Sequence, residues 1–427
     1  MATSTATSSG PTGSGSGIPR VVVTGLGAVT PLGNDVASYW EGLHTGRNGI
    51  GRVTLCEWED LPVQIAGEVK DFDPTRHMDR KAARRSARFV QFAVAACKEA
   101  FADSGIEVDD ANRDDIGVVI ATSGDAFNMG ESWQVMHEQG PARVDPLIIT
   151  RMGQHMGAAR PARELGLRGV NTIINTACAS GTDAIGHATN LIRLGHARAI
   201  LAGGAEAMIT RLALASMGRM GALSRNNADP EHASRPFDAD RDGFILGEGA
   251  GVLMLESEQC ALERGARIYA EVAGVGWSFD ATDDTAPDAD GQALAMRHAL
   301  RDANLPPEAV DHINAHGTST QYNDRTETAA IKLALGESVA AGIPITSTKS
   351  MTGHLAAGAG GIEGVAAILS MHHGCIPPTI NYRTPDPECD LSIVTNRERA
   401  AELNVVLSNS FGLGGQNATA VFRRYEG

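Results

Sequence analysis

The sequence predicts an α/β layered fold, and two observations support this prediction. Short apolar segments of strand character alternate with Ala-rich segments of helical periodicity over most of the chain. The chain also contains 49 glycines but only 4% aromatic residues, which is typical of tight packing with many strand–helix turns. The length of 427 residues exceeds that of one ordinary hydrophobic core, so we expect two fused structural units.

In the first half, the alternating pattern defines the elements in order. Strands are predicted at 21–24, 117–121, 172–174, 199–202 and 251–255, with helices at 89–101 and 181–194. The first strand is followed by Gly25-Leu26-Gly27, which we interpret as a turn. In the helix 181–194, apolar residues recur with the spacing of one buried helical face.

A second α/β segment begins near residue 270 and continues to the C-terminus. It has strands at 270–272 and 312–314, helices at 290–303 and 325–336, and a Gly-rich helix after His354. The stretches 172–188 and 344–368 both run from a strand through a small-residue turn to a helix, which indicates an internal duplication. We therefore predict a disordered tail at 1–17, a first half at 18–269 and a second half at 270–427.

Composition excludes several classes of function. The net charge of −15 disfavours nucleic-acid binding, because neutralising phosphates requires a basic surface. The six cysteines show no CxxC or Cys/His ligand spacing, so we expect neither a metal site nor disulfides. No apolar run has the length of a membrane span, and the tail lacks the features of a signal peptide. We expect a cytoplasmic protein with no bound cofactor.

Cys178 is the predicted nucleophile. It lies in Asn-Thr-Ala-Cys-Ala-Ser-Gly at 175–181, between a predicted strand and a predicted helix. The free N–H groups and the positive dipole end of that helix favour thiolate over thiol, so we expect a lowered pKa for Cys178. A lone cysteine is usually a small buried hydrophobe, and this is how we interpret the other five.

Two histidines and a lysine in the second half are the predicted partners of the thiol. His316 and His354 each follow a predicted strand and stand among glycines and hydroxyl residues. Two neutral imidazoles near a thioester can donate hydrogen bonds to its carbonyl oxygen as negative charge develops there. Lys349 would add a positive charge, held by a carboxylate such as Glu327 or Glu363.

An ordered series of motifs then resembles a known family, the elongating β-ketoacyl-[acyl carrier protein] synthases of the Cys-His-His type, with synthase II as the nearest match. The resemblance covers residues 18 to 427. Its segments are Val-Thr-Gly-Leu-Gly at 23–27, the Cys178 motif, Ala-Gly-Gly-Ala-Glu at 202–206, Ser-Arg-Pro-Phe-Asp at 234–238, Arg-Asp-Gly-Phe at 241–244, Asn-Ala-His-Gly-Thr at 314–318, Thr-Lys-Ser-Met-Thr-Gly-His at 348–354 and Asn-Ser-Phe-Gly at 409–412.

The resemblance implies a fold and an activity. The fold would be the thiolase-like duplicated five-layer α-β-α-β-α arrangement, usually a homodimer. The activity would be the decarboxylative Claisen condensation of an acyl-cysteine with a malonyl-carrier thioester, which lengthens a fatty acyl chain and releases CO₂. The partner would be acyl carrier protein, loaded with an acyl or a malonyl group on its phosphopantetheine.

The resemblance also implies roles for individual residues. Cys178 would carry the acyl chain, His316 and His354 would promote decarboxylation, and Lys349 would support their electrostatics. The oxyanion hole would be formed by the backbone N–H groups of Cys178 and Leu413, and the gate would contain Phe411 and Leu413. The catalytic side chains would be surrounded by Asp324, Glu327 and Glu363. The phosphopantetheine would contact Thr318 and Thr320, and the carrier would dock on Lys81, Arg84 and Arg85.

The docking assignment also has a physical basis. Arg80-Lys81-Ala82-Ala83-Arg84-Arg85-Ser86-Ala87-Arg88 is a dense positive run in an acidic protein. Such a run is usually a solvated helix face. Because carrier proteins of this family are acidic, we interpret the run as a surface that attracts the carrier electrostatically.

This chain departs from the family pattern at four places. Leu413 replaces the usual gating phenylalanine, Asp283 stands where a histidine is common in a loop, and Gly221 replaces a docking arginine near Arg219 and Arg225. The stretch after Ala121 is less glycine-rich than is usual for a segment that lines the acyl pocket. These changes affect the expected chain-length specificity, the gate and the choice of carrier rather than the chemistry.

Four alternatives remain open at this point. A type II polyketide ketosynthase would use the same Cys-His-His set, whereas a degradative thiolase would not need His354. A carrier-binding protein without elongating activity is a further alternative. An NAD-linked oxidoreductase is suggested by VVVTGLGAVTPLG at 21–33, but Thr30 stands where a G-x-G-x-x-G motif requires glycine.

Overall fold

The computed structural model describes residues 18–124 and 129–427 and confirms the predicted alternation of strands and helices. The predicted tail at 1–17, and residues 125–128 of the stretch after Ala121, lie outside the described residues. The strands are β1 Val21–Val29, β2 Gly51–Arg52, β3 Ile65–Ala66, β4 Ile116–Ala121, β5 Asn171–Ile174, β6 Ala199–Glu206, β7 Gly249–Ser257, β8 Ala270–Phe279, β9 His312–Asn314, β10 Pro344–Thr346, β11 Cys375–Ile376, β12 Ser392–Ile393, β13 Arg399–Ala400, β14 Val405–Phe411 and β15 Gln416–Arg423.

The helices predicted from periodicity are present, with ends within a few residues of the predicted ones. The Gly-rich helix predicted after His354 begins at Ala359. They are α1 Val36–His44, α2 Arg80–Arg85, α3 Arg88–Ser104, α4 Met129–Gln139, α5 Ile148–Met152, α6 Met156–Leu165, α7 Ser180–Arg193, α8 Arg211–Met220, α9 Glu258–Glu263, α10 Ala289–Asp302, α11 Gln321–Leu335, α12 Glu337–Ala340, α13 Lys349–Thr352 and α14 Ala359–His373. In the part of the chain that the structure describes, no helix combines the length and the apolar character needed to cross a bilayer.

The main sheet has the same topology in both halves of the chain. Its strand order among the described residues is β12-β10-β9-β14-β15-β8-β1-β7-β6-β4-β5. Numbered within each half, the order is 3-2-4-5-1 for β1, β4, β5, β6 and β7, and again for β8, β9, β10, β14 and β15. The strand directions match as well: β4 is parallel to β5 and β6, as β9 is to β10 and β14.

Helices on both faces of these half-sheets give five layers. α3 and α6 cover the outer face of the first half, and α10, with α11 beside it, covers the outer face of the second. α7 and α14 lie between the two half-sheets and contact strands from both. The largest apolar cluster, including Ile185 and Ile362, lies in this middle layer. The predicted α-β-α-β-α arrangement is therefore present.

The predicted turn at Gly25-Leu26-Gly27 is wrong, because β1 continues through it to Val29. A Cβ atom at Gly25 or Gly27 would lie 2.0 Å from the carbonyl oxygen of Ala100 or Ala96 on α3. These glycines therefore allow close packing of a helix on a strand. The glycine pattern of the sequence alone could not distinguish this tertiary contact from a turn.

Candidate active site

One cavity of about 570 Å³ brings together residues from distant parts of the chain. Cys178, His316 and His354 all line it, although they come from both halves. Predicted residues that also line it are Thr318, Thr320, Phe411, Leu413, Gly221 and Asp283. Lys81, Arg84 and Arg85 are not among its lining residues.

Cys178 is held in a tight turn between β5 and α7. It lies in the 3₁₀ turn Ala177–Ala179, two residues before α7 begins at Ser180. Ala177 has φ +52°, a left-handed conformation that is costly for a residue with a Cβ atom. The Oγ of Ser180 accepts a hydrogen bond from the backbone N–H of Thr176 at 2.7 Å and fixes the turn.

The pKa of the Cys178 thiol differs from the sequence prediction. Burial raises it, whereas a hydrogen bond from the backbone N–H of Leu413 and the positive charge of Lys349 act to lower it. The carboxylates of Glu206 and Glu363 raise it further. The prediction of a net lowered pKa is therefore wrong, because desolvation outweighs the groups that favour the thiolate.

His316 and His354 are neutral and face each other. Their ring centroids are 5.2 Å apart, and both side chains are buried. Burial and the nearby charge of Lys349 hold the pKa of each imidazole well below its usual value. Within the described residues, neither ring nitrogen of His354 has a hydrogen-bond partner, nor does Nδ1 of His316. The site therefore presents two neutral imidazoles with unused hydrogen-bonding capacity.

Lys349 and Glu363 form a buried ion pair. Nζ of Lys349, at the start of α13, donates to Oε1 of Glu363 on α14, and both side chains are at most 2% exposed. Of the two carboxylates considered from the sequence, Glu363 is thus the partner of Lys349. This pair places a fixed charge beside neutral imidazoles.

Glu327 has a different role, which is to hold the backbone around His316. Its two carboxylate oxygens accept hydrogen bonds from the N–H groups of His316 at 2.8 Å and Gly317 at 2.7 Å. Nδ2 of Asn409 donates to the same carboxylate at 3.3 Å. Burial raises the pKa of Glu327 to about 7. The carboxylate fixes the position of the imidazole without touching it.

Asp324 stabilises the loop that carries Thr318 and Thr320. Its carboxylate accepts from the N–H of Ser319 at 3.2 Å and lies 3.3 Å from Nε of Arg241. Arg241 is fully buried and donates to the carbonyl oxygen of Thr320 at 3.0 Å. The Oγ1 atoms of Thr318 and Thr320 are 3.0 Å apart at the cavity wall.

The loop after β14 borders the thiol and contacts the loop of Asp283. Phe411 is buried with its ring centroid 5.7 Å from that of His316, whereas Leu413 is 52% exposed. The N–H of Gly414 donates to the carbonyl oxygen of Asp284 at 2.9 Å. Leu413 thus keeps its backbone donor at the sulfur while its side chain faces outward.

The basic run forms an exposed helix, α2, with one exception. Lys81, Arg84 and Arg85 are exposed and have no ion-pair partner among the described residues. Arg88, in contrast, makes a bidentate hydrogen bond with the buried carboxylate of Glu248, at 2.6 and 2.8 Å. Arg88 is therefore a structural residue, and the accessible charge ends at Arg85.

Sequence reasoning did not assign roles to two residues at this site. Arg241 joins Asp324 and Asp386 in a fully buried network, and Phe244 packs edge-on to His354 with centroids 5.4 Å apart. Both residues lie in the Arg-Asp-Gly-Phe motif at 241–244, so this motif was the sequence feature that could have indicated a role at the site. Across the described ranges, no group of three or more His, Cys, Asp or Glu side chains is arranged to hold a metal ion.

Comparison with known proteins identifies the relatives of this chain. Residues 19–261 match the family model described as Beta-ketoacyl synthase, N-terminal domain, and residues 269–383 match the model described as Beta-ketoacyl synthase, C-terminal domain. A protein of Synechocystis sp. named 3-oxoacyl-[acyl-carrier-protein] synthase 2 is 49% identical over 410 residues, which cover 95% of this chain and 98% of that protein. A protein of the same name from Staphylococcus aureus is 44% identical and covers 95% of this chain and 99% of its own length.

A solved structure supports the same relationship. It is described as a type II PKS acyl-carrier protein in complex with its ketosynthase bound to the hexaketide. The matched chain is similar to this one with a TM-score of 0.88 and 37% identity, covering 96% of this chain and all of that chain.

Proposed function

This chain belongs to the β-ketoacyl synthase family, and from that premise we propose how its cavity works. The protein is a condensing acyltransferase, a 3-oxoacyl-[acyl-carrier-protein] synthase that lengthens fatty acyl chains. The polyketide alternative has less support, because the relatives named 3-oxoacyl-[acyl-carrier-protein] synthase 2 are more similar to this chain than the polyketide ketosynthase is.

The first half of the reaction transfers an acyl group to Cys178. The thiol loses its proton, and the thiolate attacks the carbonyl carbon of the acyl thioester on the carrier. The bond to the carrier sulfur then breaks, and that sulfur takes up a proton as the free carrier leaves. The N–H groups of Leu413 and Cys178 stabilise the tetrahedral oxyanion. The Leu413 N–H already donates to the sulfur in the free protein.

The second half makes the carbon–carbon bond. As the malonyl carboxylate leaves as CO₂, its bonding electrons form an enolate on the carrier thioester. N–H groups of His316 and His354 hold the enolate oxygen. The enolate carbon attacks the acyl carbonyl on Cys178, the carbon–sulfur bond breaks, and the released thiolate regains a proton. The product is a 3-oxoacyl thioester on the carrier.

One observation carries this assignment: two neutral imidazoles with unused hydrogen-bonding capacity line the same cavity as the thiol. A protonated imidazole would bind the malonyl carboxylate and retain it, whereas a neutral N–H donor favours the enolate oxygen. Burial and Lys349 keep both rings neutral. Thr318 and Thr320 line the cavity wall, which supports their proposed contact with the phosphopantetheine arm that delivers both thioesters.

The exposed face of α2 would dock the carrier. Its side chains Lys81, Arg84 and Arg85 are free of internal ion pairs in the described structure, so their charge is available to an acidic partner. The ketosynthase in the solved complex, which is related to this chain, is bound to an acyl-carrier protein. Arg219 and Arg225 are also exposed and are the nearest basic replacements for the position of Gly221.

The edge strand β5 supports a homodimer. Among the described residues, β5 pairs on one side only, with β4, and Asn171 to Ile174 are exposed or half-buried at the end of the main sheet. An unprotected edge strand is a template for pairing with a second chain. A second copy added there would also border the Cys178 turn, which starts three residues after β5.

The cytoplasmic location and the lack of a bound cofactor stay predictions from the sequence.

A two-product assay tests the proposed function. The wild-type protein, given an acyl-carrier and a ¹⁴C-malonyl-carrier substrate, is expected to release CO₂ and 3-oxoacyl product in equal amounts. Cys178→Gln should abolish the 3-oxoacyl product and retain or increase CO₂ release, since the decarboxylating imidazoles remain. His354→Ala should lose both. Elongation by Cys178→Gln at the wild-type rate would contradict the assignment of the nucleophile.

A further inference from the structure

Glu206 is a buried carboxylate that joins three segments around the thiol. It lies at the end of β6 with no exposed surface. Its oxygens accept hydrogen bonds from the backbone N–H groups of Ser123 at 3.0 Å and Ala207 at 3.3 Å, and a third comes from the N–H of Ala357. The Ser123 hydroxyl also donates to it. Ser123 lines the cavity, so the carboxylate fixes part of the cavity wall.

The bond to Ala357 stabilises a strained turn that packs against the nucleophile. Ala357 lies in the 3₁₀ turn Ala356–Gly358, which begins two residues after His354. Ala356 has φ +45°, and such a conformation persists only where surrounding contacts enforce it. This turn packs against the turn of Cys178 and against the start of α7, where a Cβ atom on Gly181 would lie 2.9 Å from the carbonyl oxygen of Ala357.

Glu206 also acts on Cys178 through its charge. The charged groups that act on the thiol are Lys349, Glu206 and Glu363, and the neutral imidazoles of His316 and His354 line the same cavity as Cys178. Glu363 is paired with Lys349, whereas the hydrogen-bond partners of Glu206 in the described structure are all uncharged. Burial raises the pKa of Glu206 to about 7, so its charge changes within the neutral pH range.

We propose that Glu206 is a positioning residue that holds the Ser123 and Ala357 segments around the thiol and controls how readily Cys178 ionises. The protonated carboxyl leaves the thiolate unopposed, and the ionised carboxylate disfavours it. This inference rests on the proposed role of Cys178 as nucleophile. It adds a second titrating group to the acylation step, outside the Cys-His-His set.

The test measures alkylation of Cys178 by iodoacetamide as a function of pH, followed by mass spectrometry of the peptide that contains it. Glu206→Gln removes the charge and should increase the rate about three- to tenfold at pH ~8, equivalent to a half to one unit of thiol pKa. Glu99→Gln is the matched control, since Glu99 also accepts two backbone N–H bonds and has a pKa raised to about 7, but is not among the charged groups that act on Cys178. Equal rates for Glu206→Gln and wild type would overturn the proposal.

A second measurement remains decisive if Glu206→Gln does not fold. In the wild type, the logarithm of the alkylation rate should rise with pH, bend near pH ~7 as Glu206 ionises, and then rise again. Ser123→Ala removes a hydroxyl that lowers the pKa of Glu206, so it should move the bend to higher pH. A straight profile in the wild type would refute the inference. The assay needs no thioester substrate, so its outcome is independent of whether condensation is observed.

Discussion

The buried ion pair between Lys349 and Glu363 gives a sharp prediction about stability. Both side chains are at most 2% exposed, so removing one partner leaves the other in a low-dielectric interior without its counter-charge. Removing one partner of a buried pair typically costs about 3–5 kcal/mol, because the remaining group loses both water and its partner. We therefore expect Lys349→Met and Glu363→Gln each to lower the free energy of unfolding by about that amount.

The double variant distinguishes pairing from simple loss of packing. Lys349→Met with Glu363→Gln leaves no buried charge, so it should be less destabilised than the sum of the single variants by about 2 kcal/mol or more. Urea unfolding at one protein concentration measures this. Lys332→Met and Asp390→Asn, a more exposed pair, is the control and should couple by less than about 1 kcal/mol. Additive losses for the buried pair would refute the reasoning.

The same substitution has a predicted effect on catalysis. The charge of Lys349 lowers the pKa of His316 and His354 and favours ionisation of Cys178. In Lys349→Met the imidazoles are easier to protonate, so the acid limb of the pH–rate profile for CO₂ release should move to higher pH. An unchanged limb would show that burial alone keeps the imidazoles neutral.

Three further predictions concern other parts of the site. The pKa of Glu327 is about 7 in the folded protein and 4.5 in the free group, so the folded state holds this proton more tightly. Its contribution to stability is present below pH 4.5 and is lost as pH rises through 7, a difference of about 3 kcal/mol. Unfolding measured as a function of pH should show this difference in the wild type and not in Glu327→Gln. Leu413→Phe retains the backbone N–H donor and should change the rate of Cys178 acylation by less than about twofold. Leu413→Pro removes that donor and should lower the rate about 10²–10³-fold. Similar acylation rates for the two variants would exclude the proposed oxyanion hole. Arg84→Glu with Arg85→Glu should raise KM for the carrier substrate at low salt with little change in kcat, and an unchanged KM would place the docking surface elsewhere.

The sequence predicted the layered fold because hydrophobic periodicity and strand–helix alternation are local properties. It could not predict that β1 continues through Gly25 and Gly27, because the reason is the position of α3 against that strand. The order of strands also follows from tertiary packing. The duplication that two short stretches indicated is therefore visible in full only as the repeated 3-2-4-5-1 order.

The candidate site was predictable where a motif marks both residue type and strand end, as at Cys178, His316 and His354. Contacts that depend on the path of other segments were not. Glu327 and Glu363 are both fully buried acids near the site, and only the structure separates the one that pairs with Lys349 from the one that holds the His316 backbone. The direction of the Cys178 pKa could not be predicted either, because burial depends on residues throughout the chain.

The duplicated topology explains why the proposed catalytic groups converge. Cys178 follows β5, the third strand of the first half, and His354 follows β10, the third strand of the second, and each precedes the helix of the middle layer. The starts of α7 and α14 touch, since a Cβ atom on Gly360 would lie 2.3 Å from the backbone nitrogen of Thr182. The turn that leads into α7 lines the cavity at Cys178, and the segment that leads into α14 lines it at His354 and Ala356. The positive dipole end of α7 therefore lies beside the thiol. Three species of the proposed reaction are anions: the thiolate, the tetrahedral oxyanion and the enolate. The cavity that desolvates the thiol also holds the N–H donors that stabilise these charges as they form.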